Sequence, residues 1–235
     1  MLIKRNIPGY DLKFDIREEA SSGITASDKI VIDEMFNENV YDIHDGTFED
    51  NKIMIDIGAN IGATSILGYT KGATCIFAYE PEKHNYEQLL KNIKLNKLEH
   101  AITPIKKAVA NVIGTSEIFD GQGASFITGA RNVSVALEAA ISQEREIIPT
   151  TTLDDILSEF NEIALLKIDC EGGEYKIIEG AALETLKKCK RIVMEYHCTD
   201  DVTFGKMVAK LSLVFNTRIF GDYINNGGQI DAMRY

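Results

Sequence analysis

The spacing of apolar residues alternates between two periods along the first half of the chain. Ile53 to Ile57 (I-M-I-D-I) is a short apolar run that stops at Gly58, which is typical of a buried strand. Further apolar runs predict strands at 74–79 and 102–109, and helical spacing predicts helices at about 61–69 and 85–96. This β-α-β-α-β order predicts right-handed crossovers and a parallel sheet, and therefore an α/β fold.

The same alternation continues in the second half. Thr152 followed by Asp155 resembles a capping box and predicts a helix start. The other predicted elements are a strand at 112–119, the helix to about 160, a strand at 164–169, a helix at 174–188, a strand at 191–197 and a helix at 202–211. Asn225-Asn226-Gly227-Gly228 separates two alternating segments, 218–224 and 229–234, and predicts a hairpin. We therefore expect a mixed sheet, mostly parallel with an antiparallel C-terminal hairpin and helices on both faces.

Two segments do not follow this alternation. Residues 120–142 are rich in Gly, Ser and Ala with little periodicity, so we expect a long loop with strand fragments that acts as a lid or as a substrate-recognition insert. Residues 1–50, with a helix at 28–38, are expected to pack over the sheet as a cap. The predicted organisation is this cap followed by a main domain at 51–235, with an insert at about 112–149.

The composition is that of an ordinary folded protein. A chain of 235 residues is long enough for one domain with a substantial core. Hydrophobic residues make up 45% and charged residues 26%, which excludes disorder, collagen and coiled coil. The formal charge of -11 argues against a nucleic-acid partner or an anionic membrane surface.

The sequence shows no targeting segment, no membrane span and no cysteine motif. The N-terminus lacks the apolar core of a signal peptide, and no window approaches the roughly 18 apolar residues of a membrane span, so we expect a cytoplasmic protein. The four cysteines contain no C-x-x-C pair, and we expect reduced thiols rather than disulfides or a zinc site. They are Cys75, Cys170, Cys189 and Cys198.

The first chemical signal is a glycine loop where the first strand of the parallel sheet meets its helix. Gly58 and Gly62 allow a ligand to lie against bare backbone, while Asp56 and Asn60 supply polar groups at its edge. The spacing G-x-N-x-G does not meet the dinucleotide fingerprint G-x-G-x-x-G. A nucleoside that bears an amino acid fits this loop better than a pyrophosphate does, and a tight turn without a ligand is the structural alternative.

The second signal is an acidic residue at the end of the next strand. Glu80 lies 24 positions after Asp56, where a carboxylate can accept hydrogen bonds from both hydroxyls of an adenosine ribose. Ala108 and Val109, at the end of the third strand, are small apolar residues suited to face an adenine ring. The glycine loop and the Glu80 carboxylate together favour an adenosine ligand.

Five motifs resemble the FkbM family of S-adenosylmethionine-dependent methyltransferases. They are M-I-D-I-G-A-N-I-G-A-T-S, F-A-Y-E-P, T-T-L-D-D, L-L-K-I-D-C-E-G-G-E and V-M-E-Y-H, in this order over about 28–197. The resemblance implies a seven-stranded class I methyltransferase sheet and O-methylation of a hydroxyl on a saccharide, polyketide or related natural product. It also implies that Glu80 holds the ribose and that the methionine side is lined by Asp56, Gly58, Asn60, Gly62 and Ser65. Gly173 departs from the family's frequent alanine.

The ends of two later strands carry the candidate catalytic groups. Asp169 and Glu171 follow the fourth strand, and Glu195 and His197 end the fifth, so all four are expected to border the cofactor crevice. Methyl transfer to an alcohol needs a base for the hydroxyl proton, and His197 is the first choice because its unperturbed pKa is near 6.5. Asp169 or Glu195 would orient its ring; a solvated His197 without a role is the alternative.

Two other interpretations stay open at this point. A divalent metal held by Asp169, Glu195 and His197 would also lower an alcohol's pKa, but a metal-free mechanism is favoured. The sequence also permits an NAD-dependent oxidoreductase, disfavoured by the displaced third glycine, or a catalytically silent adenosine-binding module. A nucleic-acid methyltransferase is weakened because Asp169-Cys170-Glu171-Gly172 stands where a D/N-P-P-Y motif would be expected.

Overall fold

The structure is a computed structural model that describes residues 1–17, 28–119, 126–127, 145–197, 199–222 and 227–235. Its main sheet has seven strands in the order β12-β13-β11-β10-β3-β4-β5. These strands are β3 (Ile53–Ile57), β4 (Cys75–Tyr79), β5 (Ile102–Ile105), β10 (Ile163–Ile168), β11 (Cys189–Tyr196), β12 (Phe215–Asp222) and β13 (Gly227–Arg234). Among these seven strands, β13 alone runs in the direction opposite to the other six, so the predicted mixed sheet with a C-terminal hairpin is confirmed. Asn225 and Asn226 of the predicted turn lie outside the described residues.

Helices cover both faces of this sheet. They are α1 (Asp28–Asp33), α2 (Ala63–Thr70), α3 (Lys83–Leu95), α4 (Leu153–Ser158), α5 (Glu174–Gly180), α6 (Leu183–Leu186) and α7 (Asp201–Leu211). Alternate residues of β3 enter two separate buried clusters: Ile55 packs with α4, α5 and α7, whereas Met54 packs with α2, α3 and residues from the first fifty. Asp56 lies on the Met54 side, which places its carboxylate beneath α2.

A second, four-stranded sheet has the order β6-β9-β7-β8. Its strands are β6 (Ala108–Ala110), β7 (Gly114–Phe119), β8 (Phe126–Ile127) and β9 (Arg145–Thr152). The single strand predicted at 102–109 was wrong, because the chain turns at Lys106 and leaves the main sheet, with the Lys107 N–H bonded to the Ile105 carbonyl at 3.0 Å. Of the predicted lid at 120–142, only the short strand β8 lies within the described residues.

The helix predicted at 174–188 is two helices. α5 ends at Gly180, where a Cβ would lie 2.7 Å from the Cβ of Asn111, so the chain runs closely past the connection after β6. The Thr152 cap is confirmed, since its side chain accepts a hydrogen bond from the Asp155 N–H. Cys75, Cys170 and Cys189 are free thiols, and Cys198 lies outside the described residues.

The N-terminal segment begins with a hairpin that the sequence did not predict, β1 (Leu2–Ile7) and β2 (Tyr10–Asp15). A polar stripe on α3 binds the backbone of β2. Asn96 exchanges hydrogen bonds with the amide and carbonyl of Lys13, and Asn92 accepts from the Asp15 N–H at 2.8 Å. Asn92 also donates to the Ile61 carbonyl at 2.9 Å, so one side chain connects the hairpin to the glycine loop.

No described helix is long and apolar enough to cross a membrane.

Candidate active site

The loop after β3 is built from residues in the left-handed backbone region. Gly58, Asn60 and Gly62 have φ values of 75°, 50° and 90°. A Cβ at Gly58 would lie 1.7 Å from the carbonyl oxygen of Asp169, and one at Gly62 would lie 2.6 Å from Leu89 Cδ1. Glycine is needed at Gly58 because the loop packs directly against the backbone at the end of β10, and at Gly62 because its positive φ would strain any other residue.

A buried lysine holds this loop from the neighbouring strand. Lys167 on β10 is 2% exposed, and its Nζ donates to the Gly58 carbonyl at 2.6 Å and to the Ile57 carbonyl at 3.3 Å. Nζ also lies 3.2 Å from Asp56 Oδ1. Burial would lower the pKa of Lys167, but the charges of Asp56 and Asp169 outweigh burial and raise it, so the ammonium stays protonated.

Asp56 and Ser65 support the loop from below. Both are fully buried, and Ser65 Oγ donates to Asp56 Oδ2 at 2.6 Å. Neither residue is among the described residues that line the cavities at this edge of the sheet, and neither is Gly62. Their positions indicate that they shape the loop through hydrogen bonds and backbone conformation.

Glu80 ties the loop to the end of β4. Its carboxylate accepts hydrogen bonds from the backbone N–H of Asn60 at 2.8 Å and of Glu82 at 2.9 Å. Burial raises the pKa of Glu80 to about 7, against the lowering effect of these two hydrogen bonds. Each oxygen accepts one backbone bond, and each keeps one further lone pair for another donor.

Two cavities open at the carboxyl ends of the parallel strands. The first, of about 70 Å³, is bordered by Glu80 and Asn85 on one side and by Ala108 and Val109 on the other. The second is larger, about 540 Å³, and reaches the N-terminal segment. Four residues border both: Gly58, Asn60, Asp169 and Glu171. A ligand in the first cavity and a ligand in the second would therefore meet at these residues.

Four carboxylates are among the residues that line the larger cavity. Glu34, Asp169, Glu171 and Glu195 border it, together with the ammonium of Lys167. Burial raises the pKa of Glu195 to about 7, and the charge of Asp169 adds to this effect. Burial also raises the pKa of Glu34, again with a contribution from Asp169. Glu195 can thus exchange a proton near neutral pH.

Tyr41 is a site residue that sequence reasoning missed. Its hydroxyl donates to Asp169 Oδ2 at 3.0 Å, and its ring lies beneath Lys167 Nζ at 5.8 Å. Burial raises the pKa of Tyr41 well above its usual value, with the charge of Asp169 adding to the effect, so it acts as a donor to Asp169. Glu34, on the same N-terminal segment, was missed as well, because no local pattern in residues 28–41 indicates contact with the end of β10.

His197 is held between carboxylates. Its Nδ1 lies 3.1 Å from Glu174 Oε1 and its Nε2 lies 3.2 Å from Glu171 Oε2, while its backbone N–H donates to Glu174 at 2.8 Å. Burial alone would lower the pKa of His197, but the hydrogen bonds to Glu171 and Glu174 outweigh it and raise the pKa to about 11. His197 is therefore a cation at neutral pH, and it is absent from the described residues lining the two cavities.

The structure therefore separates the predicted residues into three groups. Glu80, Ala108 and Val109 border the first cavity and Glu195 borders the second, while both cavities are bordered by Gly58, Asn60, Asp169 and Glu171. Asp56, Gly62 and Ser65 lie in or beneath the loop. His197, predicted as the base, lies behind Glu171 and is not among the described residues that line either cavity.

The metal alternative rested on Asp169, Glu195 and His197. Among the described residues, no group of three or more His, Cys, Asp or Glu side chains is arranged to hold an ion. His197 Nε2 is 3.9 Å from Glu195, and both ring nitrogens contact other carboxylates.

Comparisons with known proteins agree on one class of enzyme. The model of the methyltransferase FkbM domain matches residues 56–218. The chain is 24% identical over 193 residues to methyltransferase sdnD of Sordaria araneosa, covering 71% of this chain and 74% of that protein. It is 32% identical over 137 residues to a tRNA (guanine(37)-N(1))-methyltransferase of Methanocaldococcus jannaschii, covering 56% of this chain and 38% of that protein.

The fold is similar to that of a solved structure, methyltransferase FkbM from Methylobacillus flagellatus. The TM-score is 0.53 at 16% sequence identity, over 86% of this chain. The chain spans about half of that protein, 51% of its length. This likeness confirms the predicted class I methyltransferase sheet.

Gly58 is the site position at which a substitution is expected to be tolerated least. Gly58→Ala should lower the free energy of unfolding by more than about 1 kcal/mol, because alanine is strained at positive φ and its Cβ would displace the Asp169 carbonyl. Urea unfolding measures the change. Gly205→Ala in α7 is the matched control, since a Cβ there meets no atom within 4 Å; it should be neutral or stabilising by about 0.5–1 kcal/mol. Equal effects of the two substitutions would contradict the close contact.

Proposed function

The chain belongs to the FkbM methyltransferase domain family, and we propose that it methylates a hydroxyl of a saccharide, polyketide or related natural product. Methyl transfer follows from the family, which implies S-adenosylmethionine as the donor and removes the NAD-dependent oxidoreductase alternative. The hydroxyl acceptor is the proposed part. This proposal rests on one observation: Asp169 and Glu171 border both cavities, and Glu195 borders the larger one.

The first cavity fits the adenosyl part of the cofactor. The free lone pairs of Glu80 match the two ribose hydroxyls, and Ala108 and Val109 present apolar surface to the base. Asn60 borders both cavities, and its Oδ1 is buried without a hydrogen-bond partner among the described residues, so it suits the ammonium of the methionyl part. Asp56 and Ser65 contribute by holding the loop, and Gly58 by leaving room for the ligand.

The second cavity then receives the acceptor. The bound cofactor supplies an electrophilic methyl group on a sulfonium. A hydroxyl that accepts this methyl group would have to lose its proton to a protein base. We assign this proton to Glu195, because it borders the acceptor cavity and its pKa is raised to about 7.

Two neighbouring groups position this chemistry. Asp169 is held by Tyr41 and lies 3.6 Å from Lys167 Nζ, which orients its carboxylate towards the acceptor cavity as a hydrogen-bond acceptor. His197 stabilises the turn at 170–173 through its contact with Glu174. The Glu174 carboxylate also accepts a hydrogen bond from the Gly172 N–H at 2.8 Å. In this assignment the imidazolium fixes Glu171 and takes no proton from the acceptor.

An RNA base is the second candidate acceptor. It is supported by the 32% identity to a tRNA methyltransferase over 137 residues. The formal charge of -11 and the acids lining the acceptor cavity disfavour a polyanionic substrate, because binding to phosphates depends on a basic surface. The hydroxyl acceptor is therefore preferred.

An acceptor screen with isotope-labelled S-adenosylmethionine separates the two candidates. Saccharides, hydroxylated polyketides and unmodified tRNA are incubated with the enzyme, and labelled products are identified by mass spectrometry. We expect the label on a hydroxyl oxygen of a small-molecule acceptor. A labelled base in digested tRNA, with no labelled small molecule, would overturn the proposed acceptor class while leaving methyl transfer intact.

Glu195→Gln tests the assigned base. The wild-type kcat should rise with pH through about 7, because Glu195 accepts a proton only when ionised. The substitution should lower kcat by about 10²–10⁴ and remove this pH dependence, with cofactor affinity unchanged. Glu184→Gln is the exposed control, and assays with EDTA or added magnesium test the metal alternative.

Two outcomes would contradict this assignment. One is a Glu195→Gln enzyme that keeps its kcat within a few-fold and retains the pH dependence. The other is a His197→Ala enzyme that folds normally but loses kcat while Glu195→Gln remains active. That result would identify the His197 imidazole, and not Glu195, as the base that takes the hydroxyl proton.

A further inference from the structure

A third cavity adjoins the larger one and is not used by the proposed transfer. It has a volume of about 270 Å³ and lies against β11, β12 and β13. Its described lining shares Val40, Tyr41, Phe220 and Gln229 with the larger cavity. The two cavities are therefore adjacent, and a ligand in the larger one can extend into the third.

The strand register relates this third cavity to the proposed base. Glu195 on β11 pairs with Gln229 on β13, which pairs with Phe220 on β12. In the next row of the same face, Asp231 on β13 pairs with Arg218 on β12. Such rows lie about 7 Å apart, and neighbouring strands lie about 5 Å apart. The Asp231–Arg218 pair is therefore one row away from Glu195 on a continuous surface.

A fixed cluster of charged groups forms one wall of the third cavity. Asp231 is 8% exposed, and its carboxylate accepts from Arg191 Nε at 2.8 Å and from the Arg218 guanidinium. Arg191 also donates to the Asp42 and Tyr41 carbonyls, at 2.8 and 3.1 Å. Burial would raise the pKa of Asp231, but the hydrogen bonds and charges of the two arginines outweigh it and lower the pKa, so the carboxylate stays ionised.

Two groups of this cavity remain open to a ligand. The Arg218 side chain is 62% exposed, and its contact with Asp231 uses one terminal nitrogen of a guanidinium that carries five N–H donors. Phe220 is 53% exposed and borders both cavities. The face of an aromatic ring carries partial negative charge and attracts polarised C–H groups.

The formal charges of this lining balance. Arg191 and Arg218 are opposed by Asp231 and by Asp42, which also borders the cavity. A lining without net charge attracts a free phosphate or carboxylate weakly, and burying charged groups against an unbroken hydrocarbon is unfavourable. A ring with several hydroxyls suits this lining, because each hydroxyl both donates and accepts hydrogen bonds while the C–H face can lie on an aromatic ring.

We propose that the third cavity binds the neighbouring sugar unit of an oligosaccharide acceptor, whose terminal unit is methylated in the larger cavity. This inference rests on the proposed hydroxyl methylation and narrows its acceptor to an oligosaccharide. Phe220 stacks on the neighbouring unit and Arg218 donates to its hydroxyls, while Asp231 holds the guanidinium in place. Gln229 lies between Glu195 and Phe220, where the two units join.

Paired acceptors test this assignment. Methyl glycosides of glucose, galactose, mannose, fucose and rhamnose are compared with disaccharides that end in the same sugars, with S-adenosylmethionine as the donor and kcat/KM as the readout. For the sugar that is methylated, the disaccharide should have a kcat/KM at least about tenfold higher than the methyl glycoside, because it adds a hydrogen bond to a charged group.

Variants at successive positions of β12 test the two side chains. Arg218→Ala and Phe220→Ala should each lower the preference for the disaccharide by about five- to tenfold, whereas Phe220→Tyr keeps the ring and should retain the preference. Both truncated side chains are more than half exposed, so the core stays packed. Ile219→Ala is the matched control, because Ile219 is 42% exposed and points to the opposite face of the sheet; it should leave the preference unchanged.

The outcomes separate the sugar subsite from the proposed function. Equal kcat/KM for methyl glycosides and disaccharides, or an unchanged preference in both alanine variants, would overturn the subsite and leave hydroxyl methylation in place. Methylation of a hydroxylated polyketide but of no saccharide would do the same. Methylation of tRNA alone, or of none of these compounds, would overturn both.

Discussion

The arrangement of the site depends on one buried ammonium group. Removing Lys167 and Asp56 from water costs several kcal/mol for each ion, so the pair persists only because its geometry is favourable. The ammonium offsets this desolvation cost because it donates hydrogen bonds to the Gly58 and Ile57 carbonyls and lies between the carboxylates of Asp56 and Asp169. Because these groups come from β3, β10 and the turn after β10, the same cation fixes the glycine loop and the edge of the acceptor cavity.

The charge balance around this cation explains the chemistry of the acceptor cavity. Several carboxylates face a space in which Lys167 is already engaged with Asp56, so the acids further out are incompletely neutralised. Burial and mutual repulsion then raise the pKa of Glu195 to about 7 and raise that of Glu34 as well. On the opposite side of Glu171, His197 is surrounded by carboxylates and stays protonated. Glu195 and His197 of the V-M-E-Y-H strand thus differ in protonation: the imidazole stays protonated at neutral pH, whereas the carboxyl group exchanges its proton near pH 7.

The elements that sequence reasoning found are those with local causes. An apolar run ending at Gly58 gave β3 within its true bounds, and Thr152 gave the start of α4. What it missed depends on contacts distant in sequence. The hydrogen bond between Tyr41 and Asp169 spans 128 residues, and the pKa of His197 is raised by Glu171 and by Glu174, the latter 23 residues earlier in the chain. Intrinsic chemistry alone gives His197 a pKa near neutrality, whereas the neighbouring Glu171 and Glu174 raise it to about 11.

Replacing Lys167 measures the central interaction directly. Lys167→Met should lower the free energy of unfolding by about 3–5 kcal/mol, because it leaves the Asp56 carboxylate buried without a counter-charge. Adding Asp56→Asn should recover part of this loss, whereas the exposed control Lys187→Met should change stability by less than about 0.5 kcal/mol. A Lys167→Met protein as stable as the Lys187→Met control would contradict the account, and so would additive losses in the double variant.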